Sequence, residues 1–237
     1  MSEQALVVGT GAIGRAVTQR FCEDRRFERV LSVSRSPRDP LAAAHEPLRC
    51  DHSAAAIATC IDHIAAGGRL SRVVITLGTL HGDRYRPEKA LRQLDAQAMA
   101  EVHRVNCILP LQWLAALAPL LRRAGASRVL VLSARVGSIG DNRRGGWYSY
   151  RSAKAALNMA LRCAAIEFAQ HSRDLKLIAY HPGTVDSDLS APFQSRLPAG
   201  QLTAPALAAQ RLVEVMEAAP ADGRLSFLDW AGEAVPW

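Results

Sequence analysis

Residues 5–14 read Ala-Leu-Val-Val-Gly-Thr-Gly-Ala-Ile-Gly, and a helical pattern of apolar residues follows from Ile13 to Phe21. A short apolar run that ends in glycine predicts a buried strand, a tight turn and a helix. In a G-x-G-x-x-G turn the first glycine permits the bend, the second lets backbone approach a pyrophosphate, and the third lets the helix pack on the sheet. Amides at the helix N-terminus then hold the phosphates. The residues predicted to bind a dinucleotide are Gly9, Thr10, Gly11, Ala12, Ile13 and Gly14.

Strand-like and helix-like segments alternate along the whole chain. Strands that alternate with helices imply right-handed crossovers and a parallel sheet. The sequence therefore predicts an α/β fold: one domain over residues 1–237, built on a Rossmann-type doubly wound parallel sheet with helices on both faces. After the first strand, the strand-like runs lie at 30–34, just before 51 (a weak one), and at 72–77, 128–133, 175–180 and 225–228.

Helical periodicity is clearest over 148–170 and 205–218, and the alanine-rich stretch after Cys50 also predicts a helix. The stretch 88–123 predicts either two helices bent at Pro110 or one long helix that starts late. Residues 187–201 contain proline, serine and glycine without a clear period, which indicates a mobile loop with one helical turn.

The composition excludes several classes of protein. A chain of 237 residues with 49% hydrophobic residues can bury a large core. The net charge of +7 comes mostly from arginines scattered along the chain, and aromatic residues make up only 5%, so no nucleic-acid partner is expected. The longest apolar stretch, 107–121, is interrupted by two prolines and a glutamine and is too short to span a bilayer. With no charged-then-apolar leader, these features predict a cytoplasmic protein without a membrane partner.

The five cysteines give no sign of a disulfide framework or a metal site. Their number is odd, and no export signal accompanies them. Cys50, His52, Cys60 and His63 lie close in sequence, but their spacing matches no common zinc pattern. We therefore expect ordinary buried thiols, surface imidazoles and no metal ion.

The end of the second strand, Val33-Ser34-Arg35-Ser36, suggests which dinucleotide is bound. Sites that prefer NAD usually place an acidic residue here, where it accepts from the ribose 2′-hydroxyl. No carboxylate is present, whereas Ser34 and Arg35 can donate to a 2′-phosphate and Arg15 follows the glycine turn. These residues favour NADP over NAD. The alternative is that Arg35 is one more exposed arginine in an arginine-rich chain.

Tyr150 and Lys154 are separated by four residues, which places both on one face of a helix. A nearby cation stabilises tyrosinate and so lowers the pKa of the phenol, which suits proton transfer to or from a carbonyl oxygen. Such a pair is often only a surface contact. Here it opens the helix after the fifth strand, downstream of the dinucleotide turn, with Asn106 on an earlier helix.

Taken in order, the glycine turn, Asp51, Asn106, the Tyr150–Lys154 pair and the motif 181–184 (His-Pro-Gly-Thr) cover nearly the whole chain. This chain resembles the short-chain dehydrogenase/reductase family, and the loop 135–142 with 145–148 is similar to the C-factor-like subgroup. The resemblance implies a dimer or tetramer built on the helices that contain Asn106 and Tyr150.

The resemblance also implies roles for individual residues. Tyr150 would be the acid/base, Lys154 would bind the nicotinamide ribose and tune the phenol, and Asn106 would hold a helix kink and a proton-relay water. Asp51 would contact adenine. Gly78 would lie beside the cofactor, and the stretch bordering the nicotinamide carboxamide would be Pro182, Gly183 and Thr184.

Three departures from the family pattern are visible. The glycine turn is one residue shorter than the family's usual turn, and Thr76-Leu77-Gly78 replaces the usual Asn-Ala-Gly. The family's catalytic serine, which hydrogen-bonds the substrate carbonyl, falls on Ala134, whose methyl group cannot donate. Ser133 is the neighbouring candidate for that hydroxyl, although an extended strand points it to the other side. Ser138 is a second candidate, in the loop.

Two functions follow as expectations. The first is an NADP-dependent oxidoreductase that transfers hydride between the nicotinamide and a small carbonyl or secondary alcohol substrate, with Trp147, His181 and the segment around Phe193 lining the pocket. The alternative is a catalytically weak or inactive NADP-binding sensor or signalling protein of the same fold, because Ala134 occupies the serine position.

Overall fold

The computed structural model of the protein describes residues 2–198 and 200–237. Its centre is a seven-stranded sheet in which every paired strand is parallel, in the order β3-β2-β1-β4-β5-β6-β9. The predicted doubly wound fold is therefore confirmed. The strands of this sheet are β1 (Glu3–Val8), β2 (Phe27–Ser34), β3 (His45–Arg49), β4 (Arg69–Ile75), β5 (Ser127–Leu132), β6 (Leu175–His181) and β9 (Leu225–Asp229).

Helices cover both faces of the sheet because the strands are apolar on both sides. In β5, Val129 and Val131 belong to one core cluster, and Leu130 and Leu132 belong to the other. The first cluster packs under α2, α4 and α5, and the second packs under α1 and α6. The helices are α1 (Ala12–Glu23), α2 (Ala54–Ala65), α3 (Ala96–His103), α4 (Leu109–Arg123), α5 (Tyr148–Ala169) and α6 (Pro205–Ala218).

Of the two predictions for residues 88–123, the one long helix that starts late is correct. Residues 88–95 contain only a 3-10 turn at Leu91–Gln93. The helix begins at Ala96, where the Asp95 side chain accepts from the Ala98 amide at 2.7 Å. It continues from α3 through a π-helical turn at Arg104–Ile108 into α4. Aspartate is a favoured N-cap residue, so Asp95 marks the start of the helix in the sequence. The apolar periodicity before it suggested an earlier start.

The joined helix at 96–123 is long and apolar enough, by composition, to cross a membrane. Its inner face is occupied by Trp113, Leu117 and Leu121, which are fully buried against the sheet. Core helices of globular proteins pass the same test of length and hydropathy, and this packing is that of a core helix.

The segment 187–201 contains one 3-10 helix, Ala191–Arg196, in place of a loop with a single turn. Two short strands that the sequence did not predict flank it: β7 (Thr184–Val185) pairs in parallel with β8 (Leu202–Thr203). The segment is therefore held at both ends beside the carboxyl end of β6. Ala199 lies outside the described residues.

Candidate active site

The glycine turn between β1 and α1 has the shape that the sequence predicted. Gly9 has φ +99°, a conformation that favours glycine. A Cβ on Gly14 would collide with the carbonyl oxygen of Gly9, so this position must be glycine for the helix to pack closely. Around Gly11, by contrast, a Cβ would meet nothing within 4 Å. The outer side of the turn is therefore open to a ligand.

The start of α1 is suited to bind phosphate. Gly11 is the N-cap residue and provides no side-chain hydrogen bond, and the first turn, which includes Ala12 and Ile13, contains no acidic residue. The first amides of a helix lack acceptors within the helix and attract anions. The uncapped amides and the open space at Gly11 together fit a dinucleotide pyrophosphate. They do so although the turn is one residue shorter than is usual in the family that the sequence resembles.

The place predicted for a 2′-phosphate follows β2. The Ser34 Oγ is buried and has no hydrogen-bond partner within the described part of the chain. Arg35 is exposed. The pKa of His52 is lowered mainly by burial and further by the positive charge of Arg35. A neighbouring cleft is lined by Thr10, Arg15 and Arg38. Arg38 was missed from the sequence because the loop after β2 has no regular period that would show where its side chain points.

Asp51 lies just after β3, at the carboxyl edge of the sheet. Its side chain is exposed, and its Oδ1 accepts from the Ser53 amide at 2.8 Å, which lowers the pKa of the carboxyl. Ser53 in turn caps α2. His52, between them, has φ +66° and accepts from the Trp113 indole at 3.0 Å. This local network holds Asp51 at the end of β3 with one carboxylate oxygen available.

Tyr150 and Lys154 occupy the first two turns of α5. The Lys154 Nζ lies 5.8 Å from the centroid of the Tyr150 ring, so the two side chains share a face as predicted. Lys154 is buried, and its Nζ donates to the carbonyl oxygen of Leu132 at 2.8 Å. Gly137 permits this arrangement, since a Cβ there would lie 2.8 Å from the Cβ of Lys154. The ammonium is thus fixed between β5 and α5.

Burial, more than mutual attraction, sets the ionisation of this pair. It raises the pKa of Tyr150 to about 12 and lowers the pKa of Lys154 to about 7. The sequence predicted a lowered pKa for the phenol, and this is wrong for the protein without a ligand. The reason is that packing removes Lys154, and most of Tyr150, from water, which disfavours each charged form. At neutral pH, Tyr150 is therefore protonated and able to donate.

Asn106 lies in the π-helical turn between α3 and α4, so the predicted irregularity in the helix is present. It is fully buried, and its Nδ2 donates to the carbonyl oxygens of Val102 and Thr79 at 2.9 and 2.7 Å. The Leu109 amide bonds to Arg104, five residues back, as in a π-helix. Pro110 has no N–H, so the ordinary helical ladder also lacks a donor at this point.

Gly78 lies between Asn106 and Lys154. A Cβ at this position would lie 3.2 Å from the Asn106 Oδ1 and 3.8 Å from the Lys154 Nζ. Two residues earlier, the Thr76 hydroxyl donates to the carbonyl oxygen of Gly9 at 3.0 Å. The segment after β4 therefore contacts both the glycine turn and the Asn106–Lys154 pair, although it lacks the usual Asn-Ala-Gly.

The motif at 181–184 follows β6. Gly183 has φ +73°, and a Cβ there would lie 3.1 Å from the indole of Trp230. His181 is neutral because burial lowers its pKa to about 4, and its Nδ1 has no partner among the described residues. Pro182 precedes the glycine, and Thr184 begins β7. The motif thus lies at the carboxyl edge of the sheet, the edge that also holds the glycine turn.

Ala134, which occupies the family's serine position, is buried, and its two candidate substitutes already make other contacts. Ser133 does not supply the missing hydroxyl: its Oγ donates to the Asn158 Oδ1 at 2.6 Å, and the residue is only 4% exposed. The alternation of the strand accounts for this orientation. Ser138 is also buried, and its Oγ accepts from the Asp141 amide at 3.0 Å.

An aromatic wall stands beside Tyr150. The Trp147 ring centroid lies 6.3 Å from that of Tyr150 and 5.2 Å from that of Phe193. Trp147 has φ 54° and follows Gly145 and Gly146, which also have positive φ. On the other side, the His81 ring is 6.0 Å from Phe193. Trp147, His181 and the segment around Phe193 were predicted to line a pocket, and of these the rings of Trp147 and Phe193 come together beside Tyr150, with His81 next to Phe193.

Within residues 2–198 and 200–237, no three His, Cys, Asp or Glu side chains come together as a possible metal site. His52 bonds to Trp113, and the His63 Nε2 lies 3.0 Å from a Glu46 carboxylate oxygen. The Cys50 Sγ accepts from the His52 amide at 3.4 Å. The group Cys50, His52, Cys60 and His63 is thus used in local packing contacts.

Comparison with known proteins adds to this geometry. A family model described as short chain dehydrogenase matches residues 3–197. The chain is 32% identical to C-signal of Myxococcus xanthus over 148 residues, which is 62% of this chain and 84% of that protein. A short-chain dehydrogenase/reductase from Burkholderia multivorans with bound NADP has a TM-score of 0.83 and 22% identity over 100% of both chains. NADPH-bound carbonyl reductase from chicken fatty liver has a TM-score of 0.80 and 22% identity over 99% of this chain and 98% of that chain.

Proposed function

The chain belongs to the short-chain dehydrogenase family of oxidoreductases, and from this we propose that it is an NADP-dependent enzyme that transfers hydride between the nicotinamide and a carbonyl or secondary alcohol. The observation that supports the proposal is one continuous arrangement at the carboxyl edge of the sheet. There, Lys154 and Asn106 meet at Gly78, and Tyr150 lies beside Lys154 on α5. Ligands of open parallel sheets bind at this edge.

In the proposed reaction, NADP supplies or accepts the hydride, and the residues of this chain do the rest. The glycine turn would hold the pyrophosphate at the N-terminus of α1. Tyr150, which is protonated at neutral pH, would donate its proton to the carbonyl oxygen during reduction and accept it back during oxidation. Lys154 would bind the ribose hydroxyls, and Asn106 would fix the helix turn beside it.

The residues after β2 favour NADP over NAD. The Ser34 hydroxyl is buried and has no hydrogen-bond partner among the described residues, so a phosphate oxygen that reached it would satisfy a group that otherwise loses hydrogen-bond energy. Arg35 directly follows Ser34, and Arg15 and Arg38 line a cleft that also contains Asp39. Guanidinium groups bind phosphate through short charge-assisted hydrogen bonds.

The substrate would enter beside the aromatic wall formed by Trp147, Phe193 and His81. Rings at this position exclude water from the phenol and give an apolar carbonyl compound a surface to pack against. We propose a small-molecule substrate, no nucleic-acid or membrane partner, and a cytoplasmic location.

A second candidate is a catalytically weak NADP-binding sensor, and Ala134 is the observation that favours it. Ser133, the residue next to Ala134, donates to Asn158 and is therefore not free to replace the family's serine. Removing one donor to a developing oxyanion costs about a hundredfold or more in rate.

The test is to mix the protein with NADPH and a panel of ketones, aldehydes and quinones and to follow NADPH absorbance. We expect slow turnover that Tyr150→Phe abolishes while the Kd for NADPH is unchanged. Ala134→Ser should raise kcat by about tenfold or more. Tight NADPH binding with no turnover for any compound, in both the parent and Ala134→Ser, would refute the enzyme and favour the sensor.

A further inference from the structure

We propose that Glu88 is a positioning residue for Tyr150, because its buried side chain caps the helix that contains the phenol. This inference rests on the function proposed above. Glu88 lies in the loop between β4 and α3, 61 residues before the part of α5 that it contacts. It is only 6% exposed.

The start of α5 has no cap of its own. Its N-cap residue, Trp147, has a left-handed conformation, its side chain makes no cap hydrogen bond, and the first turn contains no acidic residue. The first amides of any helix lack acceptors within the helix and must find them elsewhere. Tyr150 is the third residue of α5, so an uncapped start would place the phenol on the part of the helix that frays most readily.

Glu88 supplies the missing acceptors from outside the helix. Its carbonyl oxygen accepts from the Trp147 amide at 2.5 Å. Its carboxylate accepts from the Ser149 amide at 3.3 Å through Oε2 and from the Ser149 hydroxyl through Oε1. An anion at this end of a helix is also stabilised by the helix dipole. The residues on either side of Tyr148 are thus both held by Glu88, one turn or less from Tyr150.

The same loop reaches the other part of the site. Thr79 donates its amide to the Asn106 Oδ1 at 3.2 Å and accepts from the Asn106 Nδ2 at 2.7 Å. Its hydroxyl lies 2.7 Å from the Tyr85 hydroxyl. One short segment, 79–88, therefore ties the π-helical turn to the start of α5, and this fixes Asn106 relative to Tyr150.

Glu88 and Tyr150 also line one narrow cleft. The other titratable groups of the described residues that line this cleft are Tyr85 and Arg86 from the same loop, and α3 contributes Ala98 and Val102. From its own helix, Lys154 lies 5.8 Å from the Tyr150 ring centroid. The Glu88 loop therefore packs directly beside the phenol that it helps to position.

The variants Glu88→Gln and Glu88→Ala test this role. The glutamine keeps the volume and one acceptor oxygen but removes the charge, and the alanine removes both acceptors. Glu167→Gln is the matched control, since Glu167 is an exposed glutamate at the far end of the same helix, paired with Arg122. Measurements are kcat and KM for the reduction of a ketone substrate, the Kd for NADPH, and hydrogen exchange of the Ser149 and Tyr150 amides.

We expect Glu88→Ala to lower kcat by about tenfold or more, as small displacements of a catalytic group do, with the Kd for NADPH unchanged. Exchange of the two amides should become faster. Glu88→Gln keeps one acceptor oxygen, so its kcat and its amide exchange should lie between those of the parent and those of Glu88→Ala. Glu167→Gln should change none of these.

The inference is overturned if both Glu88 variants keep the parent kcat and amide exchange, or if they lower only the melting temperature. Should Glu88→Ala fail to fold, Glu88→Gln gives the decisive measurement because it preserves the packing. If the parent protein reduces no compound, the proposed function fails, yet unchanged amide exchange in Glu88→Gln and Glu88→Ala would still refute the capping role.

Discussion

Arg35 is the side chain that we propose selects NADP. It is exposed just beyond β2, next to the Ser34 hydroxyl that has no partner among the described residues, and its charge helps to lower the pKa of His52. An exposed arginine without a ligand contributes little to stability. Its value to the protein would lie in binding, where a phosphate would replace the water around the guanidinium.

We expect Arg35→Glu to raise the Kd for NADPH by about ten- to a hundredfold, since hydrogen bonds to charged groups contribute about 1.5–3 kcal/mol. The Kd for NADH should change much less, because NADH has no 2′-phosphate to repel. Both constants can be measured by fluorescence titration. Arg173→Glu makes the same charge change at an exposed site before β6 and serves as the control. An unchanged ratio of the two constants would refute a role for Arg35.

At the scale of elements, the sequence predicted the helix bounds that depend on local interactions. The bounds of α6 and the start of α5 follow from periodicity and were predicted from the sequence. A helix from Glu88 was wrong: residues 88–95 contain only a 3-10 turn, and Leu91 and Leu94 are 67% and 40% exposed. The Asp95 cap marks the true start locally, whereas the contact between Glu88 and Ser149, 61 residues apart, has no local pattern.

The chemistry of the site divides in the same way. Spacing predicted that Tyr150 and Lys154 share a helix face, and order along the chain placed Asn106 near them. The raised pKa of Tyr150 and the use of Ser133 by Asn158 depend on burial and on packing between elements. Such properties belong to the folded molecule and have no signature in the sequence.

The attachment of α6 to the sheet depends on a charged pair. Glu217 accepts from the buried Arg72 of β4 at 2.7 and 2.8 Å and also from Arg26. Burial alone would raise the pKa of Glu217, but the hydrogen bonds from these arginines outweigh it and lower the pKa to about 2. The ionised carboxylate is thus bound more tightly in the folded state than in the unfolded state.

We expect Glu217→Gln to lower the free energy of unfolding by about 2 kcal/mol at pH 7, because Arg72 loses its charged partner. Because its folded-state pKa is depressed, Glu217 contributes fully above the usual glutamate pKa of 4.5, and the contribution is lost as the pH falls toward about 2. Urea denaturation at pH 7 and pH 3 measures this. Glu214→Gln, an exposed change on the same helix, is the control. An equal loss at both pH values would contradict the argument.

At the scale of the whole molecule, large apolar side chains on the outer face of α5 are exposed to solvent in a single chain. Met159 is 66% exposed and Ile166 is 55% exposed, and Ile108, in the neighbouring π-helical turn, is 48% exposed. Large apolar side chains in a row on one face mark a surface that another protein covers. The resemblance to the family implies assembly through these helices.

We predict a dimer or tetramer in sedimentation velocity experiments. Replacing Met159 and Ile166 together by glutamate should shift the protein to smaller species, because two charges would be buried in the interface. Leu207→Glu, a change at a 42% exposed residue on α6 at the opposite face of the sheet, should leave the sedimentation coefficient unchanged. A parent protein that sediments only as a monomer would discard this assembly.

The left-handed backbone at Trp147 has a consequence for how this protein can diverge. A residue with a Cβ in that conformation costs about 1 kcal/mol, which glycine would avoid. The Trp147 ring lies beside Tyr150, so a glycine at position 147 would relieve the backbone strain but would remove that ring from the proposed substrate site. Stability and substrate preference are therefore coupled at this position, and a substitution that improves one is expected to change the other.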